Sequence, residues 1–216
     1  MFSPYLGKEY SKREIEMAFL NYEEKIQVEE CADVFSKAAA SIADGKIVGW
    51  FHGRSECGPR ALGNRSILAD PRDPGMKDHL NAKVKFREAF RPFAPAVIWE
   101  RQQEYFDLDV PSPYMLMVSD ILEEKRCLIP SVTHVDGTGR LQTVMKKLNP
   151  EFYKLVERFN EITGIPIVLN TSFNIRGEPI VETPDDAIRC FLATGIDELY
   201  ISNYFIQKHI LCECDE

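Results

Sequence analysis

One stretch of the sequence, residues 53–70 (GRSECGPRALGNRSILAD), combines three arginines with glycine and proline and follows directly on an apolar run. The run, residues 46–51, contains Ile-Val-Gly-Trp-Phe and is typical of a buried strand. Before it, apolar residues recur at helical spacing over residues 28–43, and Gly45 stands where it would end a helix. In open α/β sheets, a glycine-rich loop at the end of a strand is a common place for a ligand. The stretch therefore predicts an α/β fold with a site at this strand end.

The glycine–arginine stretch has the composition of an anion-binding loop. Glycine lets main-chain N–H groups come close to a ligand, because no Cβ stands in the way. Arginine holds phosphate or carboxylate oxygens in pairs through its planar fork. The alternative is a solvated loop whose arginines pair with surface carboxylates.

The charge distribution favours a small anionic ligand. The chain has 216 residues and a formal net charge of -8, which argues against a general nucleic-acid binder. Residues 52–91 nevertheless contain nine Lys and Arg against five Asp and Glu, a local balance of +4. No apolar run approaches the roughly 20 residues of a membrane helix, and no signal-peptide pattern is present. The six cysteines are scattered, so we expect reduced thiols and a cytoplasmic location.

Helix and strand patterns alternate along the rest of the chain, which predicts a mixed α/β single domain. Ser11 and Glu14 form a capping box for a helix through residue 20, and Asn149 and Thr183 begin two more helices. We expect an N-terminal arm with a short helix at 1–27, the main domain at 28–211 and an acidic tail at 212–216. Further strands are predicted at 96–99, 114–118, 166–169, 199–202 and 204–207, with a hairpin over 129–144.

Basic side chains come from four separate loops near predicted strand ends, and most have glycine or proline beside them. Converging arginines suit a ligand with several phosphates, and they offset charge that develops during phosphoryl or acyl-phosphate transfer. We expect Arg54 and Arg87 to pair instead with the adjacent acids Glu56 and Glu88. The candidate ligand contacts are Arg60, Arg65, Lys85, Arg91, Arg140 and Arg176.

A polar run, NTSFN at residues 170–174, follows a predicted buried strand. Its amides and hydroxyls can bind a planar amide, a ribose or a phosphate, and the alternative is a turn that satisfies its own main chain. The candidate residues are Asn170, Thr171, Ser172 and Asn174.

His134 and Asp136 stand two residues apart, so on a strand both would face the same side. With His52 they could form a metal site or an acid–base pair, although a lone histidine is more often structural. Asp136 could also help to hold a magnesium ion bound to a nucleotide. We predict no dedicated metal-ligand set, and we treat Cys57 as a bystander.

Five motifs occur in a fixed order: ECGPRALGNRS at 56–66, KFRE at 85–88, FRPFAP at 90–95, HVDGTGR at 134–140, and NTSFN at 170–174 followed by GEP at 177–179. Together they resemble the C-terminal domain of the O-carbamoyltransferases of nodulation-factor and antibiotic biosynthesis. The resemblance extends over nearly the whole chain. It implies a YrdC-like fold, which is a twisted open mixed sheet with a concave basic cavity.

The resemblance also implies an activity. The family domain takes carbamoyl phosphate and ATP, with Mg²⁺ bound through ATP, and forms carbamoyl-adenylate with release of pyrophosphate. Carried over to this sequence, Arg60, Lys85, Arg91 and Arg140 would act on the reacting groups. Arg176 would join them on the phosphates of carbamoyl phosphate and ATP, and Asn170, Thr171 and Ser172 would line the same cavity. Together with the candidates from the residue patterns, the expected substrate-binding set is Arg65, His134, Asp136, Asn170, Thr171, Ser172, Asn174 and Arg176.

In that family, an N-terminal transferase domain of the sugar-kinase-like superfamily moves the carbamoyl group onto a hydroxyl of the acceptor. The sequence matches only the C-terminal domain, so we expect an adenylate-forming half that works with a separate transferase domain or subunit. Two alternatives stay open. The chain could be a non-catalytic module that binds nucleotide or carbamoyl phosphate, or an RNA-binding YrdC-like domain.

Overall fold

The computed structural model describes residues 2–88 and 90–209, so the acidic tail expected at 212–216 lies outside the described residues. The helices are α1 (Lys12–Leu20), α2 (Val34–Ala43), α3 (Met76–Leu80), α4 (Pro150–Thr163) and α5 (Pro184–Ala193). The strands are β1 (Ile26–Glu30), β2 (Val48–Phe51), β3 (Arg65–Ala69), β4 (Ala94–Ile98), β5 (Ser119–Asp120), β6 (Thr138–Gly139), β7 (Gln142–Val144), β8 (Ile167–Ser172), β9 (Glu198–Ile201) and β10 (Tyr204–Lys208). No helix within the described ranges combines the length and apolar character needed to cross a bilayer.

Eight of the described strands form one mixed sheet in the order β1-β10-β9-β2-β3-β8-β4-β7. The pairs β2–β9 and β4–β7 are parallel, whereas the other neighbours are antiparallel. Every residue of β2, β3 and β4 is buried, so these strands form the floor of the core. The prediction of a mixed α/β single domain is confirmed.

Three helices begin where their capping sequences predict. Ser11 and Glu14 form a complete capping box at α1, and Thr183 caps α5 in the same way. At α4 the Asn149 side chain accepts a hydrogen bond from the N–H of Phe152, and Gly164 ends the helix with φ +77°. Helix α4 packs against α2 through buried apolar residues, and each of the larger ones, such as Phe152 and Leu155, contributes about 1.5–3 kcal/mol through burial.

The helix predicted over residues 28–43 is wrong in its first part. Residues 26–30 form the edge strand β1, which lies across the predicted boundary at residue 28 and pairs antiparallel with β10. The Asp33 side chain then accepts a hydrogen bond from the N–H of Ser36 and starts α2 at Val34. Pairing with β10 satisfies the main-chain hydrogen bonds of β1. The helical spacing of apolar side chains does not predict this pairing, because it depends on a distant part of the chain.

The hairpin predicted over residues 129–144 is also wrong. Residues 130–132 form a 3-10 turn where the first strand was expected, and β6, at the predicted turn, pairs with β5, whereas β7 pairs with β4 in the main sheet. The predicted strand at 114–118 is not formed, and only the two residues of β5 follow it. His134 and Asp136 therefore lie in a turn, not on one face of a strand.

The second half of the glycine–arginine stretch is the buried strand β3, which lies between β2 and β8. The segment that joins β2 to β3 is therefore a strand-to-strand loop, residues 52–64, which we call the arginine loop. It needs glycine at Gly63, because φ is +107° there and an added Cβ would lie 2.2 Å from the Phe152 ring. Strand β8 also continues further than predicted, through Ser172, and pairs beside β3.

Candidate functional site

Four arginines from three segments of the chain meet around one concavity of about 440 Å³, which we call the arginine hollow. Arg60 comes from the arginine loop, Arg87 and Arg91 from the segment before β4, and Arg140 from the turn between β6 and β7. Among the described residues, no Asp or Glu lines it, and the nearby Glu88 lies 3.9 Å from Arg91 Nη1, so positive charge is in excess. The lining residues are Arg60, Arg87, Arg91, Pro92, Phe93, Val118, His134 and Arg140.

A smaller concavity of about 100 Å³, the inner hollow, continues the arginine hollow towards the end of β8. The two share Arg60, Arg87 and Arg140, and the described lining of the inner hollow also lacks Asp and Glu. The polar side of its lining comes from Asn170, Thr171 and Ser172. Its size and charge suit a small anion such as a phosphate group.

Arg60 and Arg140 hold positive charge without a compensating protein group. Within the described residues, neither guanidinium has a hydrogen bond or an ion pair, and the buried Nε of Arg140 has no partner. Burial, and secondly the charge of Arg60, lower the pKa of Arg140 below its ordinary value. A bound anion would relieve both penalties, which is the electrostatic signature of an anion site.

Arg87 lies in the site, contrary to the expectation that it pairs with Glu88. Its Nε donates to Asn81 Oδ1 at 2.7 Å, and its guanidinium lies 4.5 Å from the centre of the Phe93 ring. Burial lowers its pKa, and the neighbouring Arg91 lowers it further. The sequence interpretation assigned Arg87 to an ion pair because Glu88 is adjacent to it. The signal it missed is that Arg87 lies in the same short segment as the predicted site residues Lys85 and Arg91.

Lys85 lies behind the lining of the inner hollow, near its Ser172 wall. It ends a π-helical segment, Asn81–Lys85, and is 5% exposed. Its Nζ donates to the carbonyl of Ser172, and to the carbonyl and Oδ1 of Asn174 at 2.9 Å each. All these acceptors are uncharged, so burial, followed by the charge of Arg87, lowers the pKa of Lys85 to about 7.

Arg65 was predicted to bind substrate, but its guanidinium is fully buried and serves the main chain. Its Nη1 donates to the carbonyls of His52, Gly53 and Asn64 at 3.0–3.1 Å, and the fork stacks 3.5 Å from the centre of the Phe51 ring. Burial lowers its pKa to about 10. These contacts hold the base of the arginine loop, while Nε has no hydrogen-bond partner in the described structure.

Arg176 is exposed and lines neither hollow. Its Nη1 donates to the Phe86 carbonyl at 3.3 Å. Of the six basic candidates, Arg60, Arg91 and Arg140 meet in the arginine hollow, and Lys85 lies beside the inner hollow, whereas Arg65 and Arg176 line neither.

His134 lines the arginine hollow, with Nδ1 3.1 Å from Thr138 Oγ1 and a pKa lowered chiefly by burial. Asp136 is exposed, and its Oδ1 accepts the N–H and hydroxyl of Thr138, which closes the turn. His52 pairs instead with Glu151 at 3.2 Å. The possible His52–His134–Asp136 set is therefore not assembled, and no group of three or more His, Cys, Asp or Glu in the described chain could hold a metal ion.

The polar run at the end of β8 borders two concavities. Asn170 is buried, and its Nδ2 donates to Gln142 Oε1 at 2.7 Å, while its Oδ1 has no partner in the described structure. Ser172 Oγ donates to Asn174 Oδ1 at 2.6 Å.

Beyond Ser172 lies a concavity of about 460 Å³, the acidic hollow, which meets the inner hollow at Pro59 and Ser172. Its lining residues are Ser55, Glu56, Gly58, Pro59, Arg65, Ser172, Asn174, Glu178, Pro179, Ile180, Val181 and Glu182.

Comparison with known proteins identifies the family. Residues 39–208 match the family model described as the carbamoyltransferase C-terminus. The chain is 49% identical to nodulation protein NolNO of Sinorhizobium fredii and 43% identical to nodulation protein NolO of Bradyrhizobium diazoefficiens, in each case over 96% of the chain. It spans 30% and 38% of the length of these relatives.

The fold is similar to part of a solved structure of full-length HypF in a phosphate- and nucleotide-bound form. The TM-score is 0.53 at 18% identity, over 85% of this chain and 22% of HypF. At this identity the likeness concerns the fold, which is the mixed sheet of YrdC-like domains. The chain therefore belongs to the carbamoyltransferase C-terminal family.

Proposed function

We propose that this domain binds carbamoyl phosphate and ATP and forms carbamoyl-adenylate, which a separate transferase domain or subunit uses to carbamoylate a hydroxyl of a natural product or sugar. The observation that carries this proposal is the arginine hollow, where four arginines converge and none of the described lining residues is a carboxylate. Family membership supports carbamoyl transfer as the overall chemistry. The phosphate- and nucleotide-bound form of HypF supports the choice of ligands.

The proposed reaction has two steps. Water first displaces phosphate from the carbamoyl carbon, which yields carbamate and inorganic phosphate. A carbamate oxygen then attacks the α-phosphorus of ATP, the bond to the β-phosphate oxygen breaks, and pyrophosphate leaves. Both steps gather negative charge on phosphate oxygens, which fixed arginines such as Arg60 and Arg140 would offset without reorganisation.

Magnesium would arrive on ATP as part of the substrate, where it neutralises phosphate charge. The described residues offer no set of protein ligands for a resident ion, and the Asp136 carboxylate is engaged in its own turn. The domain's own contribution is therefore binding and charge stabilisation by its arginines.

The test is pyrophosphate release from the purified chain with ATP, Mg²⁺ and carbamoyl phosphate. We expect release that requires carbamoyl phosphate and that is lost in Arg140→Ala but kept in Arg13→Ala, whose side chain lies exposed on α1 outside both hollows. Release no greater than in a control without carbamoyl phosphate would contradict catalysis by this chain alone.

Two other outcomes would identify the alternatives. Calorimetric binding of ATP or carbamoyl phosphate without turnover would indicate a binding module that needs its partner domain for chemistry. A salt-sensitive gel shift with RNA would indicate an RNA-binding domain, which the net charge of -8 disfavours.

A further inference from the structure

Glu56 lies at the start of the arginine loop and lines the acidic hollow. Its Oε1 accepts the main-chain N–H groups of Leu62 and Asn64 at 2.7 Å each, and that of Arg65 at 3.3 Å. Oε2 accepts none of these three hydrogen bonds. One oxygen of the carboxylate therefore shapes the loop, and the other is left for a ligand in the acidic hollow.

No cation of the described chain forms an ion pair with Glu56. Arg65, the first residue of β3, directs its guanidinium to carbonyl oxygens. Burial raises the pKa of Glu56, while the loop N–H groups partly offset that rise. Glu56 is half-buried, so Oε2 stays within reach of a ligand N–H, which would form a charge-assisted hydrogen bond with it.

The inner and acidic hollows adjoin at Pro59 and Ser172. A ligand that crosses this junction would have one end on the side of Arg60 and Arg140 and the other on the side of Glu56. Carbamoyl phosphate has these two ends, since its phosphate is the anion and its amino group offers two N–H donors. Acetyl phosphate has the same shape and charge but a methyl group where carbamoyl phosphate has NH₂.

We propose that Glu56 is the residue that selects the carbamoyl group, with Oε2 accepting an N–H of the carbamoyl NH₂ while the arginines hold the phosphate. This inference rests on the proposed function. Acetyl phosphate would leave the carboxylate facing a methyl group, and a site built around a hydrogen bond rejects an analogue that lacks the donor. Glu56 thus gives the domain a preference for carbamoyl phosphate over acetyl phosphate, which arginines that bind only the phosphate group would not give.

The test compares the affinities of carbamoyl phosphate and acetyl phosphate by calorimetry in the wild type, in Glu56→Gln and in the control Glu178→Gln, which changes another carboxylate of the same hollow. In Glu56→Gln the amide oxygen is needed by the loop N–H groups, so the NH₂ group would face the hollow and repel the ligand donor. We expect the wild type and Glu178→Gln to prefer carbamoyl phosphate by about tenfold to a hundredfold, the value of one charge-assisted hydrogen bond. In Glu56→Gln the preference should fall to within about threefold.

Inorganic phosphate, measured with the same proteins, reports whether the arginine loop is intact in the variant. We expect Glu56→Gln to bind inorganic phosphate and acetyl phosphate as the wild type does. Equal weakening of all three ligands would assign Glu56 to loop structure alone and overturn the proposal. A wild type that binds both acyl phosphates equally would overturn it without any variant, whereas a wild type that binds no acyl phosphate would refute the proposed function itself.

Discussion

Two arginines of the same motif, Arg60 and Arg65, have opposite environments. Arg65 is fully buried and donates to main-chain carbonyls, whereas Arg60 is exposed and has no hydrogen bond or ion pair in the described structure. The first is part of the scaffold and the second is available to a ligand. In this domain, the hydrogen-bond partners of a basic residue distinguish a structural role from a ligand-binding role better than its charge does.

The scaffold arginine should give the largest effect on stability. Replacing Arg65 with Met leaves the carbonyls of His52, Gly53 and Asn64 without their donor inside the protein. We expect the free energy of unfolding to fall by about 3 kcal/mol or more, the range for breaking a buried charged network. Urea unfolding followed by circular dichroism measures this change. A loss below about 0.5 kcal/mol, which is typical of surface sites, would remove the distinction between the two arginines.

The hollow arginines should give the reverse pattern. Arg60→Ala or Arg140→Ala should weaken carbamoyl phosphate binding by about 1.5–3 kcal/mol, the range for charge-assisted hydrogen bonds. Their stability should stay the same or rise slightly, because the two guanidinium groups repel each other. Calorimetry and urea unfolding on the same proteins separate the two effects. Arg176→Ala, which changes an arginine outside both hollows, serves as the matched control, and equal weakening in that variant would contradict the assignment.

Sequence interpretation succeeded where the determinants are local. The capping residues of α1, α4 and α5 predicted their starts correctly, because each cap bonds only to its own first turn. The predictions were wrong where pairing between distant segments determines the secondary structure. The edge strand β1 exists through its ladder with β10, and β6 leaves the expected hairpin to pair with β5.

The site was predictable only in part, for a related reason. Glycine and proline neighbours marked Arg60 and Arg91, which lie in loops, but the same cue also selected Arg65, which opens the buried strand β3 and donates to main-chain carbonyls. Arg87 was discounted because of Glu88, yet its side chain turns to Asn81 and Phe93 instead. The group to which an arginine donates depends on the course of the folded main chain. Spacing along the sequence does not give that course.

Lys85 should have a smaller effect on the free energy of unfolding than Arg65. It is buried like Arg65, but it can lose its proton. Its pKa of about 7 lies below the ordinary 10.5, so between these values the unfolded chain binds the proton and the folded chain does not. Stability should therefore rise with pH from about 7 towards 10.5, by at most about 1.4 kcal/mol per pH unit, and this contribution should be lost as pH falls to 7. Urea unfolding at pH 7, 8 and 9 should show this slope in the wild type and not in Lys85→Met. Identical slopes in the two proteins would refute the depressed pKa.

The most direct test of the central claim is the position of a bound phosphate in a crystal structure of the domain with carbamoyl phosphate and a non-hydrolysable ATP analogue. The account predicts phosphate oxygens within hydrogen-bond distance of Arg60 and Arg140, with the Arg65 contacts to the main chain unchanged. Phosphate bound by Arg65, or bound on a surface away from the arginine and inner hollows, would contradict it.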